Sequence, residues 1–336
     1  KNPITLENQM FIKRILALFL FASMGQTAEK LKIGLVLDKG GKEDKSFNSA
    51  AYQGASLAEK ELGIELKYVE ATDVNSIENL HRQFAKKKFD LVIGIGFAQQ
   101  DAVKKVAAQN PDTKFVIVDG EVSASNVRSL MFEEHQGSFL VGYLAAIKSK
   151  TKKVGYIGGM DIPLIRRFAV GFEAGVKHFD KSFTILENYI GITADSWNNP
   201  AKAKELALNQ YQQGADIIFV AAGASNSGVF DAAEEKKKLA IGVDSNQNWM
   251  KPGFILTSML KRVDQGVYAT IKDLKEGKFT SGTVRYGLKD KGIDYAMDKF
   301  NEKLVTKDDV KKLDGIKADI VSGKIIVPDF YLMKKK

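Results

Sequence analysis

Three aspartates close apolar runs in this sequence: Leu35-Val36-Leu37-Asp38, Val116-Ile117-Val118-Asp119 and Ile241-Gly242-Val243-Asp244. A carboxylate ending a buried strand lies on the carboxyl edge of a sheet, where open α/β folds bind ligands. There it can accept hydrogen bonds from ligand N–H and O–H groups. The alternative is a cap on the following helix or turn; three such residues at equivalent positions favour a shared site. The first of them opens the polar turn Asp38-Lys-Gly-Gly-Lys-Glu-Asp44-Lys-Ser46-Phe47-Asn48. That turn lies between the apolar run Lys32–Leu37 and the amphipathic segment Ser49–Leu62, an order that reads strand, turn, helix. It lacks the glycine spacing and the lysine of a phosphate loop. Its carboxylates, amide and aromatic ring suit a neutral, flat, polar ligand.

Phe47 and Trp197 stand in polar surroundings, each just before a helical pattern. Two such rings could hold a flat ligand between them, each stack worth about 1–3 kcal/mol; the alternative is a hydrophobic staple onto the next helix. Lys261 follows a returning strand and could donate to a ligand hydroxyl, and Gly158, Gly159 and Gly223 follow strands where backbone could approach a ligand closely. Paired carboxylates can also perform acid–base chemistry. No nucleophile with its base, no HExxH and no GxSxG accompanies them. Gly94-Ile95-Gly96 lacks the third glycine of a dinucleotide turn. With no cysteine and three widely separated histidines (His81, His135 and His178), neither a thiolate zinc site nor a histidine metal cluster is expected. The expectation is a binding protein without metal, cofactor or catalysed reaction.

The elements that must position these residues alternate. Strand patterns fall at Lys32–Leu37, Glu65–Val69, Leu91–Ile95, Phe115–Val118 and Arg128–Phe132. A second series falls at Val154–Ile157, Thr184–Tyr189, Ile217–Ala221, Ala240–Val243 and Ile255–Met259. Helical patterns lie between them, and such alternation implies parallel sheets. The series restarts after about residue 132, which predicts two doubly wound lobes. No Pro/Gly/Ser-rich linker separates them, so short crossings would form the hinge. A short strand at Thr283–Tyr286 and a final apolar run at Lys324–Val327 complete the pattern. The expected division is 1–28 outside the fold, a first lobe of 29–131 plus 256–281, and a second of 132–255 plus 282–333.

The hydrophobic fraction of 44% can build a sizeable core, and 27% charged residues is ordinary. Lys13-Arg14 followed by the apolar Ile15–Ala22 and small residues reads as a secretory signal peptide, too short to span a bilayer, with Lys1–Gln9 upstream of a start-like Met10. Export to the periplasm is expected, and with no cysteine a lipid anchor is not. The net charge of +9 gathers in lysine runs at residues 86–88, 236–238 and 334–336. No aromatics interleave with them, so solvated surface is expected rather than nucleic-acid binding.

The chain resembles the basic membrane protein family, the PnrA-like purine-nucleoside receptors of ABC transporters, from about Lys32 to about Phe330. The resemblance rests on Asp38-x-Gly-x-x-x-Asp44-Lys-Ser-Phe47-Asn48, Gly96-Phe97, Asp119-Gly120, Gly137-Ser-Phe-Leu-Val-Gly142, Gly158-Gly159-Met160, Gly242-Val-Asp244-Ser-Asn-Gln247 and Ser258-Met-Leu-Lys261-Arg-Val-Asp264, in order. It implies a type I periplasmic binding-protein fold, two α/β lobes joined by a three-strand hinge, with a nucleoside in the interlobe cleft. By the same resemblance Phe47 and Trp197 stack on the base, and Asn48 and Asp119 bond its edge. Asp244 and Lys261 bind ribose hydroxyls, Gly223 admits close backbone approach, and Asp38 contacts the ligand or supports the turn. The family often has phenylalanine at the second stacking place, is commonly lipid-anchored, and commonly reads Asp where Asn246 stands. The implied partners are adenosine, guanosine or inosine and an ABC permease, with the receptor a monomer. A sensory receptor without transport, a binder of another small polar ligand such as a sugar, and a nucleoside hydrolase remain as rival readings.

Overall fold

The computed structural model describes residues 29–333. The expected signal peptide, the residues before Met10 and the lysines at 334–336 lie outside them. Two six-stranded sheets form the core. In the first, the order is β11(Gly282–Tyr286), β5(Val127–Phe132), β4(Lys114–Val118), β3(Leu91–Ile95), β1(Lys32–Leu37), β2(Glu65–Glu70), all parallel. The second repeats the plan: β12(Ile293–Tyr295), β10(Ile255–Lys261), β9(Leu239–Asp244), β8(Ile217–Ala221), β6(Lys153–Met160), β7(Thr184–Gly191), with only β12 antiparallel. The middle strands are continuous Val/Ile/Leu runs because helices cover both faces. Two parallel-sheet α/β lobes of the type I binding-protein kind result.

Helices α1(Phe47–Leu62), α2(Ile77–Lys86), α3(Gln100–Gln109), α4(Glu134–Lys148), α5(Pro163–Phe179), α6(Pro200–Gln212), α7(Asn226–Lys236), α8(Val263–Lys275) and α9(Lys307–Val321) flank the sheets. Their ends follow local chemistry. Pro163 and Pro200 occupy first turns, where a missing N–H costs nothing. Asn199 caps α6 by accepting from Lys202 N, and Gly63 ends α1 in a left-handed conformation. Among the described residues no helix is long and apolar enough to cross a membrane.

The chain passes between the sheets after β5, after β10 and between β11 and β12. These crossings are tied together: Glu133 N donates to Tyr286 O at 2.8 Å, and Arg262 N donates to Gly292 O at 2.9 Å. Strand pairing corrects the expected division at two strands. Residues 255–261 were expected largely in the first lobe but extend the second sheet beside β9. Residues 282–286 were expected in the second lobe but extend the first sheet beside β5. The crossing therefore follows β10 rather than preceding it, and α8 then packs on α1. The run Lys324–Val327 forms no strand, since β12 takes the edge of the second sheet.

Helix pairs pack at glycines in both lobes. A Cβ on Gly54 of α1 would lie 2.2 Å from Asp264 O of α8. A Cβ on Gly175 of α5 would lie 2.0 Å from Phe139 O of α4. Gly315 in α9 has nothing within 4 Å. Gly175→Ala should therefore cost about 1–3 kcal/mol through overpacking, whereas Gly315→Ala should gain about 0.5–1 kcal/mol from helix propensity. Urea unfolding of the two variants checks the opposite signs.

Candidate functional site

The carboxyl ends of strands from both sheets meet around one cavity, lined by residues of both lobes. The eight residues that the resemblance gives a ligand or turn role line it: Asp38, Phe47, Asn48, Asp119, Trp197, Gly223, Asp244 and Lys261; Gly158 and Gly159 do not. Sequence reasoning missed its apolar walls, Phe97, Leu164, Ile165, Phe168, Ala221 and Ala222. Leu164–Phe168 lie in the first turns of α5, just after the Gly158-Gly159-Met160 end of β6, so that glycine pair was the available signal.

Within the opening turn, roles divide. The Asp44 carboxylate accepts from Ser46 N at 2.8 Å, Asn48 N at 2.8 Å and Ser49 N at 3.0 Å, capping α1. Asn48 donates to Asp44 at 3.0 Å and accepts from Asp38 N at 2.8 Å. Its amide is thus largely spent on the turn, and one N–H remains to offer. Burial raises the Asp38 carboxyl above the usual range, even though Lys39 N donates to it at 2.8 Å.

Asp119 and Asp244 take equivalent places at the ends of β4 and β9, and both adopt φ 64. Aspartate is among the few side chains that enter this left-handed region routinely. Asp119 Oδ2 accepts from Lys261 Nζ at 2.5 Å, while its Oδ1 is buried without a protein partner. Asp244 Oδ2 accepts from Ser46 Oγ at 2.5 Å. Burial lifts Asp119 to about 6 and Asp244 to about 7, against the pull of Lys261. Lys261 is itself buried, which alone would lower its pKa. The charges of Asp119 and Glu134 outweigh that and hold it charged. Its ammonium also sits 5.1 Å from the Phe47 ring centre, 5.2 Å from Phe132 and 5.7 Å from Phe168, so aromatic faces supply attraction where water is excluded.

Phe47 reaches the cavity from the first lobe as the first residue of α1. Trp197 reaches it from the second, on the turn Ala194–Asn198, with its ring against Gly159. A Cβ on Gly159 would fall 2.1 Å from that indole, so only glycine lets the ring lie there. Gly223 has φ +60, and a Cβ on it would meet Trp197 O at 3.2 Å. The lobes touch across the mouth. Ser245 Oγ donates to Ser46 O at 2.9 Å, Gln247 Nε2 donates to Lys45 O at 3.0 Å, and Lys39 pairs with Asp195.

Among the described residues, Glu133, His135 and Asp329 form a cluster with metal-like spacing. The Arg167 guanidinium fills it, with Nη2 3.0 Å from Glu133, 3.1 Å from His135 and 2.9 Å from Asp329. Burial and the Arg167 charge lower His135 to about 4, which keeps it neutral beside that cation.

A family model described as the PnrA-like ABC transporter substrate-binding protein matches residues 30–330. The chain belongs to that family. It is 34% identical over 327 residues to the ABC transporter nucleoside-binding protein BmpA of Lactococcus lactis subsp. cremoris (strain MG1363), covering 90% of this chain and 91% of that one. It is 33% identical over 305 residues to basic membrane protein A of Borreliella burgdorferi, covering 88% and 87%. Among solved structures, a solute-binding protein of an ABC transporter system from Aeropyrum pernix K1 superposes with a TM-score of 0.81 at 28% identity, covering 89% of this chain and 94% of that one. This substrate-binding protein thus joins a family fold to a cleft whose polar groups come from strand ends.

Such a cleft stores a cost that pH reveals. An aspartate titrating near 3.8 in the unfolded chain titrates at about 7 for Asp244 in the fold. Between those values the folded state holds the extra proton, so stability falls as pH rises through them. Asp244→Asn should remove this cost, raising the unfolding free energy at pH 8 by up to about 4 kcal/mol. The gain should vanish near pH 4. Denaturant melts of both proteins at the two pH values check it; an equal gain at both would place the effect elsewhere.

Proposed function

We propose that this substrate-binding protein is exported, binds a purine nucleoside in the cleft and delivers it to an ABC permease, catalysing no reaction. The observation that carries the reading is one aromatic side chain from each lobe, Phe47 and Trp197, on a cavity whose inner wall holds Asp119, Asp244 and Lys261. Rings suit a base, since every base has a π-face. Carboxylates that keep free lone pairs suit its N–H groups and the ribose hydroxyls. In this reading Asp119, with its open Oδ1, and the remaining N–H of Asn48 meet the base edge. Asp244 and Lys261 meet the ribose, Gly223 lets the backbone close in, and Asp38 holds the turn. The name of the lactococcal relative, a nucleoside-binding protein, agrees with it. Closure over the ligand would be a population shift between open and closed arrangements, and the closed form is what the permease would recognise.

Charge supports nucleoside over nucleotide. The lining carries Asp38, Asp44, Asp119 and Asp244 against the single cation Lys261, already committed to Asp119 and Glu134. A phosphate would meet uncompensated carboxylates, at a Coulomb cost of about 3 kcal/mol per close pair. Calorimetry with adenosine, guanosine and inosine should show binding, and adenosine monophosphate should bind at least about 100-fold more weakly; equal affinity for the monophosphate would overturn the charge argument. Trp197→Ala should weaken nucleoside binding about tenfold or more, and no free base should appear on incubation with inosine.

A further inference from the structure

Behind the cavity wall lies a carboxylate that the binding reading does not use. Glu134 is the first residue of α4, one step past the first interlobe crossing, and it is wholly buried. Its Oε1 lies 2.9 Å from Lys261 Nζ, and its Oε2 accepts from Arg167 Nη1. Arg167 is in turn fixed by Phe132 O at 2.6 Å and Asp329 Oδ1 at 2.7 Å, with Glu133 and His135 alongside. Lys261 has no comparable set of anchors. Among the described residues, and apart from three ring faces, its ion-pair partners are Asp119 and Glu134, with the Asp244 charge acting on it from further off.

Those two carboxylates belong to different lobes. Asp119 ends β4 of the first sheet, whereas Lys261 ends β10 of the second and Glu134 begins a helix packed on that strand. Separation of the lobes would part Lys261 from Asp119 and leave it with Glu134. Without Glu134, the ammonium would keep Asp119 as its one ion-pair partner, with Asp244 further off, and would lean on the carboxylate whose open oxygen is buried at the cavity.

We infer that Glu134 is a positioning residue of the ligand site: braced by Arg167, it holds the Lys261 ammonium against the second lobe, so that Asp119 keeps acceptor capacity for ligand. The inference rests on the nucleoside reading of the cavity for its affinity arm only. Glu134→Gln keeps the shape and removes the charge. It should weaken nucleoside binding at least about tenfold, but by less than about twofold in a Lys261→Met background, because a residue acting through Lys261 loses its effect when the ammonium is gone. Equal losses in both backgrounds would overturn the proposal and leave Glu134 a packing residue.

A second arm needs no ligand. Nitrogen-15 NMR of the lysine ammonium groups in the ligand-free protein should show a protected Lys261 signal that Glu134→Gln shifts or loses; an unchanged signal would overturn the proposal. If the wild type binds no nucleoside, the functional reading fails while this arm still decides the role of Glu134. If Glu134→Gln does not fold, Glu134→Asp keeps the charge with shorter reach. A displaced Lys261 signal in that variant supports the proposal, and an unchanged one overturns it.

Discussion

The ammonium of Lys261 is buried at the point where the carboxyl edges of two sheets meet, and the site is organised by what must be done about it. A bare cation in such a place would lose its proton. Here Asp119, Glu134 and three aromatic faces keep it charged. Each compensating group is brought by a different element: β4 ends in Asp119, α4 begins with Glu134, α1 begins with Phe47 and α5 carries Phe168. Both lobes contribute, so the same electrostatic demand that shapes the pocket also registers the lobes against each other.

The repeated strand order makes this economical. In each sheet the strand order runs 2-1-3-4-5 with an added edge strand, and the C-terminal ends of equivalent strands supply equivalent groups. Asp119 and Asp244 share φ 64 at the ends of β4 and β9. The lobes differ where the ligand needs asymmetry. The turn after β1 carries Phe47 at the head of α1, whereas the turn after β7, a different strand, carries Trp197. The second lobe must also clear space for the larger indole, which it does with Gly159 on β6.

Most of this was legible because it depends on chain-local signals. Strand-end aspartates, glycine turns and alternating apolar runs are properties of a few consecutive residues, and all eight residues singled out for the site line one cavity. What escaped was set by distance in sequence. The apolar walls Leu164, Ile165 and Phe168 look like any helix face until the other lobe is placed opposite. Glu134 and Arg167 look like surface charges in sequence; their partners, Lys261 and Asp329, lie more than a hundred residues away. The place of β10 beside β9 is not legible for the same reason, since nothing within Ile255–Lys261 tells which sheet its neighbour belongs to. Asn48 shows the opposite case. It was expected as a contact, and it does line the cavity, yet the sequence could not reveal that Asp38 N and Asp44 already engage its amide.

The structure gathers Asp38 and Asp119 of one lobe with Asp244 of the other around one cavity. Burial raises all three above the ordinary aspartate range, so closing the cleft empty is opposed by desolvation and by like-charge repulsion. The protein offsets part of this itself, through Ser46 on Asp244 and Lys261 on Asp119, and leaves Asp119 Oδ1 without a partner. A ligand that donates hydrogen bonds and carries no negative charge would offset the rest, and most fully with the lobes together, because the acceptors it must reach lie on both lobes. A ligand shifts a conformational equilibrium only by its differential affinity for the two states. In the proposed reading the open acceptor of Asp119 would be a source of that difference, so the feature that makes the empty cleft costly to close would also let the right ligand close it.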